Sequence, residues 1–146
     1  MQKRYITLGL IFLWIGFIYF NSLQIGAISG EVSGNITQWL ASLLNQIGIQ
    51  VDVVDLSVLV RKGAHVGEFL VLGLLLMLYQ FQSLGAVGRR FINVMVLGLM
   101  VAVVDEVIQT FIPGRSGLLV DVLIDMIGIV LACVVGLVIV MRRGKQ

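Results

Sequence analysis

Four long apolar runs, separated by short polar segments, dictate a membrane fold for this 146-residue chain. The spans fall at about residues 5–22, 60–82, 91–112 and 118–141. Each is close to the ~20 residues that a helix needs to cross hydrocarbon at ~1.5 Å per residue. Helices are the expected form, because backbone in hydrocarbon must satisfy its own hydrogen bonds; the alternating ten-residue segments of a transmembrane barrel are absent. Composition agrees: charged residues make up 12% of the chain, against about 25% in soluble domains. No charge or Pro/Gly shift marks a second unit, so a single all-α domain over 1–146 is expected. The net charge of +2 comes without a basic stripe, which argues against nucleic acid as a partner. The single cysteine, Cys133, lies inside an apolar run and reads as a packing residue.

The first run follows Lys3 and Arg4 and has the outline of a signal peptide. It is long for a signal core and contains Trp14, Phe17, Tyr19 and Phe20, while Ile25 and Ile28 fit poorly around a cleavage site at Gly26-Ala27. An uncleaved span is the better reading. Before the second span, Asp55 is placed to cap the incoming helix. The third ends at the Pro113-Gly114 turn. Between the first and second spans, Ile36, Trp39, Leu40, Leu43, Leu44 and Ile47 share one helical face, opposite Thr37, Gln38, Ser42, Asn45 and Gln46. This predicts a short helix that either lies in the membrane interface or packs over the ends of the spans. Lys3 and Arg4, Arg89 and Arg90, and Arg142, Arg143 and Lys145 fall on one side of a four-span bundle, the cytoplasmic side by the positive-inside rule. Both termini are therefore expected in the cytoplasm.

Five of the eight acidic residues, Glu68, Asp105, Glu106, Asp121 and Asp125, fall within or at the edges of the spans. A carboxylate at mid-span costs roughly 2.5–3.5 kcal/mol, so these groups should face one another, protein partners or water. The topology gathers them with Lys62, His65 and Gln109 in one layer at the outer ends of spans two, three and four, with Asp105 and Asp125 ~10 Å deep. Lys62, His65 and Glu68 recur every three residues; Asp105 and Gln109, like Asp121 and Asp125, are four apart. Arg61, Lys62, Asp105 and Glu106 each sit at the unfavourable end of their own helix dipole and so need tertiary partners. Pairing of Arg61 or Lys62 with Asp105 or Glu106 on an antiparallel neighbour is the expected solution.

These residues also carry a resemblance. Lys62-Gly63-Ala64-His65-Val66-Gly67-Glu68-Phe69 resembles the Lys-x-x-His-x-x-Glu-Tyr motif of VanZ-like proteins. The stretch from Asp105 to Phe111, then Pro113-Gly114-Arg115-Ser116-Gly117, resembles their Asp-Glu-x-x-Gln-x-Phe and Pro-Gly-Arg-x-Gly signatures. Asp121, Asp125 and Gly128 resemble the Asp-x-x-x-Asn-x-x-Gly element, and Ser22, Ser29 and Ser33 the serine-rich stretch after the first span. Phe69 stands where Tyr is usual, and Asp125 where Asn is. The resemblance implies a multi-pass protein of the bacterial cell membrane, linked to resistance to teicoplanin and related lipoglycopeptides.

Three functions are compatible with the polar layer. In the first, Arg61, Lys62 and Arg115 hold the anionic headgroup of a membrane lipid or lipid-linked cell-wall intermediate, while Glu106, Gln109, Asp121, Asp125 and Ser22 add polar contacts. In the second, an intramembrane enzyme uses His65 as general base, oriented by Glu68 or Asp105, with Arg115 at the oxyanion and Ser22 as nucleophile. A divalent cation on His65, Glu68, Asp105, Glu106 and Asp121 is a variant of it, although the spacing matches no dedicated zinc motif. The third, an ion-coupled transporter, meets no inverted repeat and no second polar layer.

Overall fold

The computed structural model describes residues 2–24, 26–82, 86–115 and 117–143, with the side chains of 26–33 and 143 outside that description. The side chains of Ser29 and Ser33 in the serine-rich stretch, and the whole of Ser116 in the turn motif, therefore lie outside it. The described residues form five helices: α1 (Gln2–Ser22), α2 (Gly26–Gln46), α3 (Val53–Phe81), α4 (Val87–Thr110) and α5 (Leu119–Arg143). All but α2 are long and apolar enough to cross a membrane. Their outward faces are apolar, with Leu13, Ile92, Met100 and Leu123 all exposed. A bundle with apolar residues both inside and outside is what a lipid solvent permits.

The helix between the first two spans extends further upstream than its apolar pattern. It buries the flank of that stripe and not the polar face opposite: Thr37 and Ala41 are buried and Leu40 and Leu44 half-buried, whereas Ile36, Trp39, Leu43 and Ile47 are exposed. Small side chains bring α2 against α3, and most of the stripe stays uncovered. Both anticipated arrangements are thus partly combined, since α2 packs on a span while presenting Trp39 outward. Helix α3 begins at Val53, three residues before the start that an Asp55 cap would set, because the Asp52 carboxylate accepts the Val54 N–H at 2.7 Å. Asp52, not Asp55, is the N-cap.

The closest pairing is α3 with α5, which run parallel. Gly128, Ala132 and Gly136 line one face of α5 at four-residue spacing. A methyl group at Gly128 would approach the backbone at Leu70 N and Phe69 C within 2.6 and 2.9 Å, so the two helices touch backbone to backbone there. Gly73 on α3 leaves the corresponding room for Ala132, and Gly98 on α4 leaves room for Ile129. Small residues at an interface let spanning helices approach closely where no hydrophobic drive operates between them. Phe69, Leu72, Leu76, Val94 and Ile129 fill the core.

At one end of the bundle, Gln82 Nε2 donates to Thr7 Oγ1 at 2.9 Å, and Arg4 and Arg90 stack over Tyr79 and Phe81. The opposite end holds the C-termini of α1 and α4 and the N-terminal parts of α3 and α5.

Candidate functional site

The α3–α5 seam turns from apolar to polar as it nears that second end. One turn beyond Gly128 is Asp125, and one further turn is Asp121, both on the α5 face that meets α3. They meet the three-residue series of α3. Lys62 Nζ lies 2.6 Å from Asp121 Oδ1, and His65 Nδ1 lies 3.5 Å from Asp125 Oδ1. Lys62 is therefore paired with α5, and not with Asp105 or Glu106 of α4 as expected. Parallel neighbours place like turns at the same level, and α5 rather than the antiparallel α4 is the main partner of α3.

Helix α4 supplies the next layer. Asp105 is fully buried, and each of its oxygens has a donor: Ser22 Oγ to Oδ1 at 2.6 Å and Gln109 Nε2 to Oδ2 at 2.8 Å. Gln109 also reaches Ser22 Oγ at 3.4 Å. Glu106, one residue on, points elsewhere: its Oε2 accepts the Leu118 N–H at 2.9 Å. A carboxylate at the first turn of α5 satisfies an unpaired donor and complements the helix dipole. Glu106 thus fastens the loop between α4 and α5.

The end of α1 closes the site. Asn21 Nδ2 donates to Glu68 Oε1 at 2.8 Å, and Trp14 Nε1 donates to the Glu68 carbonyl oxygen at 2.9 Å. Arg115, in the loop after α4, donates through Nη1 to the carbonyl oxygens of Asn21 and Ser22 at 3.0 and 3.4 Å. It occupies the place where a helix leaves its last carbonyls without partners. Partial burial lowers the Arg115 pKa below the ordinary guanidinium value, while Asp105 opposes that shift. The group remains a cation at neutral pH.

Two adjoining clefts of ≈ 260 and ≈ 240 Å³ open on this assembly, and both are lined by Arg61, His65 and Arg115. The first also reaches Lys62, Gln109, Asp121 and Asp125; the second reaches Asn21, Ser22 and Glu68. Among the described residues Lys62–Asp121 is an ion pair, and His65–Asp125 is a contact that is ionic only when the imidazole is protonated. Arg61 and Arg115 therefore bring positive charge to the cleft walls with no carboxylate of the described residues in ion-pair range.

The VanZ/LLP1 family model matches residues 7–141, nearly the whole chain. The chain belongs to the VanZ/LLP1 family. No curated protein and no solved structure matches it. In this VanZ/LLP1 protein, Ser22, Lys62, His65, Glu68, Asp105, Gln109, Arg115, Asp121 and Asp125 gather at one end of the bundle, while Glu106 turns to the α5 N-terminus. His65 has Asp125 as its nearest carboxylate, where Glu68 or Asp105 was expected. The Ser22 hydroxyl is directed to Asp105 and not to His65. Asn21 and Trp14 were missed. Asn21 is adjacent to Ser22 and ends the first apolar run, which is a usable signal; Trp14 has none, because it reads as one more apolar residue.

Proposed function

We propose that the clefts face away from the cytoplasm in a bacterial cell membrane and hold the anionic headgroup of a membrane lipid or lipid-linked cell-wall intermediate. Through that contact the protein alters how the envelope responds to teicoplanin and related lipoglycopeptides, the resistance to which the family name relates. The observation that carries this reading is the unequal treatment of the cations. Lys62 is neutralised by Asp121, whereas Arg61 and Arg115 line both clefts with no carboxylate partner among the described residues. A guanidinium offers several fixed donors and suits phosphate or carboxylate. Arg115 is also held by backbone oxygens, so little ordering remains when a ligand arrives.

The test uses the purified protein in detergent with phosphatidylglycerol or phosphatidylcholine vesicles as probes. Retention of phosphatidylglycerol over phosphatidylcholine is expected, with at least tenfold loss in the Arg61→Gln/Arg115→Gln double variant. Equal retention of both lipids, or no loss in the double variant, refutes the reading.

A second reading is an intramembrane hydrolase or transferase acting on a lipid-linked substrate. It is favoured by the His65–Asp125 contact beside the cleft and by the buried Ser22–Asp105 hydrogen bond. A carboxylate next to an imidazole orients it and supports general-base work. A changed lipid product that disappears in His65→Ala supports this reading, and wild-type product in that variant removes it.

A further inference from the structure

One buried carboxylate is left by the network described above with neither oxygen hydrogen-bonded. Asp125 has a side chain only 1% exposed, and neither of its carboxylate oxygens has a hydrogen-bond partner. His65 Nδ1, 3.5 Å from its Oδ1, makes no hydrogen bond to it and is itself without a partner. Buried carboxylates are ordinarily hydrogen-bonded or compensated by a cation, since desolvation of the bare anion is expensive. Asp105 aggravates the problem, because one nitrogen of His65 and one oxygen each of Asp105 and Asp125 lie within 4.8 Å of one another. Two carboxylates this close cannot both stay ionised unless a positive charge sits between them.

We infer that His65, Asp105 and Asp125 form a binding site for one divalent transition-metal cation, Zn²⁺ or Mn²⁺, at the floor of the first cleft. An imidazole with two carboxylates is a borderline nitrogen–oxygen donor set that suits these ions. Donors at ~2.0–2.2 Å from such a cation sit about 3–3.5 Å apart, so the His65–Asp125 separation is already of that size. The remaining ångström or so of closure falls to small side-chain adjustments of His65 and Asp125, whose facing atoms have no hydrogen-bond partner. The surroundings fit the role. Ser22 and Gln109 each donate to one Asp105 oxygen, leaving a second lone pair on each and fixing the carboxylate plane, as groups behind metal ligands commonly do.

Three protein donors leave coordination positions open. His65 and Asp125 line the first cleft, where Arg61 and Arg115 also stand. With a neutral imidazole and two carboxylates, the bound ion brings the local charge to zero and exposes a Lewis acid opposite two guanidinium groups. That combination takes a phosphate-bearing headgroup, one oxygen on the metal and others on the arginines. This last step rests on the headgroup reading above; the metal site does not.

The experiment titrates the detergent-purified full chain, freed of metal by a chelator, with Zn²⁺ and with Mn²⁺ alone. Calorimetry is expected to give one saturable site for at least one of the two ions. Affinity should fall at least tenfold in Asp125→Asn, which introduces the amide of the resembling motif and so is compatible with the fold. It should fall similarly in His65→Gln and stay unchanged in Asp55→Asn, an exposed carboxylate near the start of α3. Thermal unfolding supplies the second measure: metal should raise the melting temperature of the wild type and leave that of Asp125→Asn in place. No saturable binding in the wild type, or equal binding in Asp125→Asn, overturns the site. Metal binding together with vesicle retention unaffected by the arginine substitutions upholds the metal site and sinks the headgroup reading. Arginine-dependent retention without metal binding does the reverse.

Discussion

Ser22 and Asp105 form the shortest contact between α1 and α4, and both side chains are almost wholly buried. Ser22→Ala removes one of the two donors to Asp105. Hydrogen bonds to charged acceptors contribute ~1.5–3 kcal/mol in soluble proteins, and those inside membranes average nearer 0.6. A loss of about 1–2 kcal/mol is expected in thermal or denaturant unfolding in micelles. Lys62–Asp121 should behave differently despite an equal distance of 2.6 Å, because these side chains are 35% and 28% exposed. Partial solvation screens the pair, so a double-mutant cycle of Lys62→Met and Asp121→Asn should give a coupling below about 1 kcal/mol. The difference between these two contacts marks how much of the site was legible in the sequence. Burial cost alone argued that Glu68, Asp105 and Asp125 must find company, and the three- and four-residue spacings named the faces. What spacing leaves open is the partner. Lys62 reaches Asp121 and Glu68 reaches Asn21, choices that depend on which helix lies alongside, and no local pattern records that.

That neighbour relation is decided at the level of the helix by glycine. The parallel α3–α5 seam depends on Gly128 lying against the backbone of α3, and the same seam carries the polar residues of both helices into register. In Gly128→Ala the new methyl group would meet Leu70 N and Phe69 C at 2.6 and 2.9 Å, and backbone yields little. Overpacking of this kind costs about 1–3 kcal/mol, more than the ~1 kcal/mol gained in helix propensity. The variant should melt below the wild type, and should weaken binding at the clefts by shifting Asp125 from His65. At Gly136 the group in the way is the end of the flexible Met77 side chain, and at Gly9 nothing lies within 4 Å. Gly136→Ala should therefore cost less than Gly128→Ala, and Gly9→Ala should cost nothing, a ranking that one set of melting curves checks. The ends of the elements were less readable than their cores. Helix α3 starts at the Asp52 cap, well before its apolar run, because its first turns stand outside the stretch that hydrophobicity marks. Helix α2 was seen only through its apolar stripe, whereas it packs through Thr37 and Ala41.

For the whole molecule, the distribution of basic residues predicts which end of the bundle meets the cytoplasm. Arg4 and Arg90 share one end, where they lie over Tyr79 and Phe81 of α3. The sequence adds Lys3, Arg89, Arg142, Arg143 and Lys145 to that end, against Arg61, Lys62 and Arg115 at the other. Acidic residues follow the second group, with five of the eight near it and the other three, Glu31, Asp52 and Asp55, between the first two spans, whereas the first end has none. Insertion responds chiefly to Lys and Arg near the ends of spans, so the end with the larger share is expected to stay inside. In a Cys133→Ala background, single cysteines at Gln2, Val87 and Gln50 sample both ends at exposed positions without altering any basic residue. A membrane-impermeant thiol reagent applied to intact cells should label Gln50→Cys and spare Gln2→Cys and Val87→Cys until the membrane is opened. Labelling of Gln2→Cys and Val87→Cys with Gln50→Cys protected would turn the clefts toward the cytoplasm. Arg61 and Arg115 would then face the inner leaflet, out of reach of an externally added lipoglycopeptide, and the envelope role would fall while the geometry of the site stood.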